Sequence, residues 1–549
     1  MSASSKKKLR NEQQAAKLTE RQLAEQKEAK KLKIYTITFV IVLVALLVIA
    51  VVFGVNNAIT NSGIRERKTI ALTVGEHKIN NAEMNYYFID SVNSNLSGEN
   101  AYMVQLGMLD PALPLDEQTN PLTGQNWADY LMEYATQNAK SNYVLVDAAN
   151  AEGFTLPENM AAEIESMLVN MDMYAAISGY PDGEAYLKAM YGTSADMDSY
   201  KQYLETSMLA QAYYNEYSDT LTYEDADLRA AEADNYGKYS SYTYNYYYMA
   251  ANKFLEGGST DSEGNTTYTE EETDASIQAA EAAAKALVAD CTTVEELDAA
   301  ITKLSINEGS ETPVSSILYE DTLYTSIANQ KVAEWISNSS RKEGDITYIA
   351  NEISSTDSET GETETTISGY YVIYFHGAND NTFALKNVRH ILSAFTGGTS
   401  DPTTGAVTYT DEEKAAAKAE AEEILAQWKS GDASEDSFAA LANEHSDDGD
   451  GTTGGLYEDI YPGQMIAPFE AWCFADGRKA GETDIVETDY GYHVMYFSGE
   501  SDITFRDYMI TNELKAAALN DWYMSMMDAA TVTPGDTSYV NTGITLNVG

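Results

Sequence analysis

The sequence predicts an α+β multidomain protein carrying one N-terminal membrane-spanning helix, and three stretches carry that prediction. From Asn387 to Gly499 a strand-like run, two helical patterns and a closing strand-like run follow in β-α-α-β order. About a hundred residues in that order can bury one sheet face under helices, as a small α+β domain must. The same signature occurs once before, between about Tyr236 and Asp380. Finally, Ile34–Val55 is an apolar run without a single charge.

The 549 residues leave room for three or four domains. A formal net charge of -52 argues against nucleic acid as a partner, because phosphate binding needs basic surface. The charge is unevenly spread: residues 1–33 are rich in lysine (Lys6, Lys7, Lys8, Lys30, Lys31, Lys33), so the acidity lies beyond Val55. Solubility is the plain reading of that acidity and calcium chelation the sharper one. The cysteines, Cys291 and Cys473, lie far apart in apolar helical patterns and read as buried thiols, not a disulfide framework.

As a helix, Ile34–Val55 is about 33 Å long, which matches a bilayer core of roughly 30 Å. A secretory signal has a short basic start and a small-residue cleavage site. Here the run follows 33 residues of helix-forming sequence, and Phe53-Gly54-Val55-Asn56-Asn57-Ala58 offers no A-x-A. The segment therefore reads as an uncleaved transmembrane helix, with the basic N-terminus in the cytoplasm and the rest of the chain outside.

After the anchor, Thr69–Ile79 alternates and turns at Gly75, which predicts a β-hairpin. Asn80 followed three residues later by Glu83 fits a helix start. Helical patterns continue over Trp127–Asn150, Pro157–Asn170 and Tyr200–Tyr217. Then the chain repeats itself. Gly264-Asn265-Thr266-Thr267-Tyr268-Thr269-Glu270-Glu271 matches Gly405-Ala406-Val407-Thr408-Tyr409-Thr410-Asp411-Glu412, each preceded by a Phe, a Gly-Gly pair and an Asp. Gly369-Tyr370-Tyr371-Val372 likewise mirrors Gly491-Tyr492-His493-Val494. The copies differ where chemistry would lie: His493 becomes Tyr371, and His390 aligns with Met249 or Tyr248.

In the second copy His390 lies in the first strand and His493 in the last, with the acidic loop Ser446-Asp447-Asp448-Gly449-Asp450-Gly451 between them. Gly463-Gln464-Met465 and Phe469-Glu470 follow the loop. A histidine on an apolar strand is commonly a hydrogen-bonded core residue, and the acidic loop lacks the EF-hand order. Taken together, these marks resemble the parvulin-type peptidyl-prolyl cis-trans isomerases, closest to the PrsA-type foldases of Gram-positive cell envelopes. Residues 69–217 are similar to the chaperone domain of PrsA and SurA foldases.

The resemblance implies a helical SurA-N-like chaperone domain and two parvulin-like α+β domains, the first degenerate. With the cytoplasmic segment at 1–33 and the transmembrane helix at 34–55 read from charge and apolarity, the resemblance sets the chaperone domain at 56–235, the degenerate copy at 236–380 and the isomerase domain at 386–499. Residues 500–549 would return to the chaperone domain. His390, Asp448, Thr488 and His493 match the family's catalytic positions, and Leu456, Met465 and Phe469 its proline-ring pocket. The family usually follows its glycines with Asp-Leu-Gly-Trp-Phe, whereas here Gly454-Gly455 runs into Leu456-Tyr457-Glu458-Asp459-Ile460, so the pocket wall is altered.

The function this implies is a membrane-anchored extracytoplasmic isomerase and foldase for secreted or cell-envelope proteins. Its alternative is a non-catalytic holdase that uses the parvulin-like domains only to grip peptide. The implied partners are unfolded or nascent polypeptides with X-Pro bonds and the membrane, with a homodimer allowed; neither cofactor nor metal is implied. No H-E-x-x-H, C-x-x-C, G-x-S-x-G or P-loop pattern points to hydrolysis or nucleotide chemistry.

Overall fold

The computed structural model of the protein describes residues 4–11, 46–47, 62–96, 102–234, 236–261, 265–307, 313–356, 363–401, 406–449 and 451–546. The apolar run 34–55 lies outside these save for Leu46 and Leu47, as does Asp450 of the acidic loop. Among the described residues no helix is long and apolar enough to cross a membrane. The chain divides into two units, one formed by residues 1–221 with 517–549 and the other by 222–516.

In the first unit the alternating stretch forms β1 (Ile70–Val74) and β2 (His77–Asn80), which pair antiparallel around Gly75. Asn80 accepts the Glu83 N–H at 3.0 Å and starts α1 (Asn81–Leu96). Tyr86, Tyr87 and Phe88 on α1 are fully buried against α2 (Trp127–Glu152) and α3 (Met197–Thr220). Asn126 caps α2 and Gly153 ends it in the left-handed region, while Asp196 opens α3 with a capping box. The strand Val532–Pro534 pairs with the outer edge of β1. Two buried amides hold the segment that follows it. Asn81 donates to the Asp536 carbonyl at 2.7 Å and accepts from the Tyr539 N–H, and Asn85 accepts from the Asn541 N–H at 2.7 Å.

The second unit holds the repeat. Its first copy runs β3 (Ser241–Ala250), α4 (Glu270–Asp290), α5 (Val294–Thr302), β4 (Ile317–Leu323), α6 (Gln330–Ile336), β5 (Ile346–Thr356) and β6 (Thr363–Asn379), with sheet order β4-β3-β6-β5. Its second copy runs β7 (Ala384–Ala394), α7 (Asp411–Ser430), α8 (Glu435–His445), β8 (Leu456–Ile460), α9 (Ala467–Cys473), β9 (Thr483–Glu487) and β10 (Gly491–Thr504), with order β8-β7-β10-β9. Every pairing is antiparallel. The shared motif has a physical basis. Thr269 and Thr410 open α4 and α7 with capping boxes closed by Glu272 and Glu413, and each glutamate also accepts the N–H of Gly258 or Gly398. Gly397 sits at φ 88, a left-handed conformation that favours glycine, and a Cβ there would displace the Glu413 carboxylate from the cap.

The copies match in a register that corrects the sequence alignment. Gly369 faces Ala250 and Gly491 faces Ala394, so His390 corresponds to Tyr246 and not to Met249 or Tyr248. The first copy inserts a single 3-10 turn, Ala251–Phe254, after β3, and aligning the following phenylalanines slides the strand out of step.

Period-two alternation sorts the second copy into faces. Ile391, Val494 and Tyr496 pack under α7 and α8 with Ile424, Trp428 and Phe438. Val388, Met495 and Phe497 point the other way, onto Phe469, Trp472 and Cys473 of α9. After β10 the chain enters α10 (Phe505–Ala529), whose Arg506 is 1% exposed. Arg506 pairs with Glu232 and donates to Ser240 Oγ (3.3 Å), the Asp380 carbonyl (3.1 Å) and the Tyr236 carbonyl (2.6 Å), with its guanidinium 3.9 Å from the Tyr236 ring centre. One cation thus ties the entry to the first copy, the joint between copies and the exit from the second. Arg506→Met strands these acceptors and is expected to lower the stability of the 222–516 unit by about 3–5 kcal/mol, read as a lower urea midpoint of the full chain.

Candidate active site

The central pair β7–β10 brings residues from opposite ends of the second copy onto one face. Met495 lies opposite His390 and His493 opposite Leu392, so the two histidines are diagonal neighbours. Their Nδ1 atoms are 3.0 Å apart, and both rings are buried, at 2% and 6% exposed. His390 Nε2 lies 3.1 Å from Asp448 Oδ2, and His493 Nε2 lies 2.9 Å from the hydroxyl of Thr488. Four side chains from four segments form one row: Thr488, His493, His390, Asp448.

Local structure aims each end of that row. Ser446, the residue that ends α8, uses its hydroxyl as acceptor for the N–H groups of both Leu392 and Asp448. Asp447 accepts from the Ala394 N–H at 2.9 Å and gives its own N–H to the Leu392 carbonyl. The acidic loop is thereby pinned to β7. Thr488 accepts the Tyr490 N–H at 3.2 Å in the turn before β10. Gly491 begins β10 where a Cβ would lie 2.3 Å from the Ser393 carbonyl, and Gly455 enters β8 at φ 64 where a Cβ would lie 2.1 Å from the His390 carbonyl. Both close approaches set the register of the row.

The hydrogen bonds have only one consistent direction when both rings are neutral. A carboxylate accepts, so His390 carries its proton on Nε2 and donates to Asp448. His390 Nδ1 is then an acceptor, and His493 donates to it from Nδ1. His493 Nε2 in turn accepts from the Thr488 hydroxyl. Electrostatics favour this neutral row. Burial holds His390 below the usual histidine range despite the neighbouring Asp448. Burial and then the adjacent His390 push His493 down to about 4.

Phe469 lies edge-on to both imidazoles, 5.4 Å from His390 and 5.5 Å from His493 between ring centres, and is itself buried. Met465 is half-buried in the same apolar cluster, which fills this side of the sheet. Leu456 does not join them. It pairs with Arg389, whose guanidinium runs to Glu435 at the start of α8, so Leu456 takes the helix face. Tyr457, opposite Val388, takes the site face instead. Its ring stacks on His390 (5.0 Å between centres, 23° between planes) and its hydroxyl donates to Asp448 Oδ2 at 3.0 Å. Nothing in the sequence singles out Tyr457: that Gly455 crosses His390, so that period-two counting reaches 457 and not 456, is visible only in the fold.

In the first copy Tyr246 and Tyr371 stand where the histidines stand in the second, with ring centres 6.2 Å apart. Tyr371 also packs on Tyr248, whose hydroxyl is 2.8 Å from that of Ser368.

Residues 390–499 match the family of rotamases, the PPIC-type PPIase domain. The foldase protein PrsA 1 of Listeria innocua serovar 6a is 38% identical over 79 residues, 14% of this chain and 26% of that protein. The match thus spans about a quarter of the length of that relative. Among solved structures, PrsA of Bacillus subtilis is 25% identical over 27% of this chain and 48% of its own, with a TM-score of 0.17. The PPIase domain of TbPar42 is 26% identical over 21% of this chain and 99% of its own, also with a TM-score of 0.17.

The depressed His493 carries a pH signature. Below the unfolded-state value of about 6.5 an unfolded histidine takes up a proton that folded His493 refuses until about pH 4. Its contribution is therefore intact above pH 6.5 and is lost as pH falls towards 4, a difference of about 3 kcal/mol. Urea unfolding of the protein between pH 7 and 4 is expected to show this slope, and His493→Gln to flatten it.

Proposed function

From the premise that residues 390–499 form a PrsA-like rotamase domain of the parvulin type, we propose that the whole protein is a peptidyl-prolyl cis-trans isomerase and foldase. Its substrates are unfolded or nascent polypeptides with X-Pro bonds. It acts outside the cytoplasm, tethered by a single helix at 34–55 with residues 1–33 inside. In this reading the chaperone domain covers 56–235 with a return by 500–549, and 236–380 is a copy that keeps the shell without the site. The observation that carries the proposal is the continuous row Thr488–His493–His390–Asp448 beside Phe469 and Met465.

Rotation about X-Pro needs no covalent chemistry; the amide must pass a twisted state with a barrier of about 18–20 kcal/mol. Catalysis must come from binding that twisted state better than the planar one. Phe469, Met465 and Tyr457 supply an apolar wall for the proline ring. Asp448 is the charged group at the edge of that wall. The planar amide owes its stability to a resonance form with negative charge on oxygen, and a carboxylate turned towards that oxygen disfavours it. The neutral histidines matter here, because an imidazolium would cancel the carboxylate's field. Thr488 and His493 serve by fixing which nitrogen of His390 carries the proton.

A protease-free peptide isomerisation assay on the full chain tests this reading. Asp448→Ala and His493→Ala are each expected to lower kcat/KM by on the order of tenfold or more, while Tyr371→Ala in the first copy leaves it unchanged. Wild-type rates no faster than buffer, with suppression of client aggregation intact, would favour the holdase instead.

A further inference from the structure

Asp448 Oδ2 receives two donors, His390 Nε2 and the Tyr457 hydroxyl. Among the described residues no hydrogen bond reaches Oδ1. The carboxylate is 41% exposed, on a glycine-rich loop whose pinning contacts come from Ser446 and Asp447 and stop short of the Asp448 side chain. A carboxylate held by a single donor can swing about that bond; two donors arriving on one oxygen fix the plane of the group. Tyr457 is suited to be the second. Its ring is clamped flat against His390, and Phe469 stands perpendicular to it at 6.4 Å. The phenol and the imidazole thus reach the same oxygen from two stacked rings.

We propose that Tyr457 is a positioning residue for Asp448: its hydroxyl and His390 together hold Oδ2, which leaves Oδ1 directed at the substrate amide. The inference rests on the isomerase reading above and deepens it by assigning a role to a residue of the altered segment after Gly455. In that segment the residue facing the site is a tyrosine, so the pocket wall also donates a hydrogen bond. The flat ring covers one side of His390, so a proline ring meets Tyr457 and Phe469 as two perpendicular faces.

Tyr457→Phe removes only the hydroxyl and keeps the stack. It is expected to lower kcat/KM by about tenfold, the size of a lost hydrogen bond to a charged group. In an Asp448→Asn background the same change is expected to have almost no further effect, because the group being positioned is already altered. A merely structural tyrosine would give equal losses in both backgrounds, which would overturn the proposal. A second readout does not depend on turnover. The chain has five histidines, so nitrogen spectra of histidine-labelled protein resolve His390 and His493 individually. Tyr457→Phe is expected to shift the His390 Nε2 resonance and leave those of His77, His376 and His445 in place. An unmoved His390 signal, or kcat/KM within twofold of wild type, would overturn the proposal. An inactive wild type whose His390 signal still moves would sink the isomerase reading while leaving the link between Tyr457 and Asp448 standing.

Discussion

Two buried imidazoles can share a hydrogen bond through Nδ1 only if the strands that carry them are neighbours in one fixed register, and the second copy is built around that requirement. The pairing of β7 with β10 places His390 and His493 diagonally, and period-two alternation then sends the helix-covered core to one face and the site to the other. A slip of one residue in either strand would turn that strand's histidine into the α7–α8 core and bring its Ile391 or Val494 out, parting the two rings. The glycines at 455 and 491 guard against that slip, since any side chain there collides with a carbonyl of β7.

The first copy shows what the same frame does without that requirement. Its sheet has the same strand order, its helix opens on the same Thr–Glu box, and Gly369 makes the same close approach. Tyr246 and Tyr371 replace the histidines and pack among further tyrosines, Tyr319 beside the first and Tyr248 beside the second. Frame and chemistry are therefore separable. The frame is specified by glycines, caps and apolar alternation, while the chemistry depends on a handful of side chains projecting from it.

Much of this was legible in sequence for physical reasons. A strand around Asn387–Leu392 and a helix over Asp411–Trp428 follow from alternation and capping, and the structure has strand and helix there, longer by a few residues. His390, Asp448, Thr488, His493 and Phe469 do come together, because strand ends and their adjoining loops are positions a family likeness can locate. Leu456 and the Met249–Tyr248 alignment went astray for one shared reason. Each depends on counting along a strand across a kink: the Gly454-Gly455 crossing in one case, the Ala251–Phe254 turn in the other. Spacing fixes which residues lie near a strand, but a single inserted residue inverts which way they point.

The strand Val532–Pro534 and the asparagine-held segment after it have a consequence for the order of events during synthesis. Asn81 and the carbonyl of Asp536 are 455 residues apart in the chain, yet their hydrogen bond helps seal one small sheet. Ribosomes make the β1–β2 hairpin and α1 early and deliver the segment that completes them 455 residues later. Until then, β1 presents an unpaired edge and Asn81 and Asn85 lack the partners that the late segment supplies, so this part of the molecule spends its own biogenesis as an incomplete structure. Closing so long a loop is slow rather than forbidden, since its entropic cost grows only with the logarithm of its length.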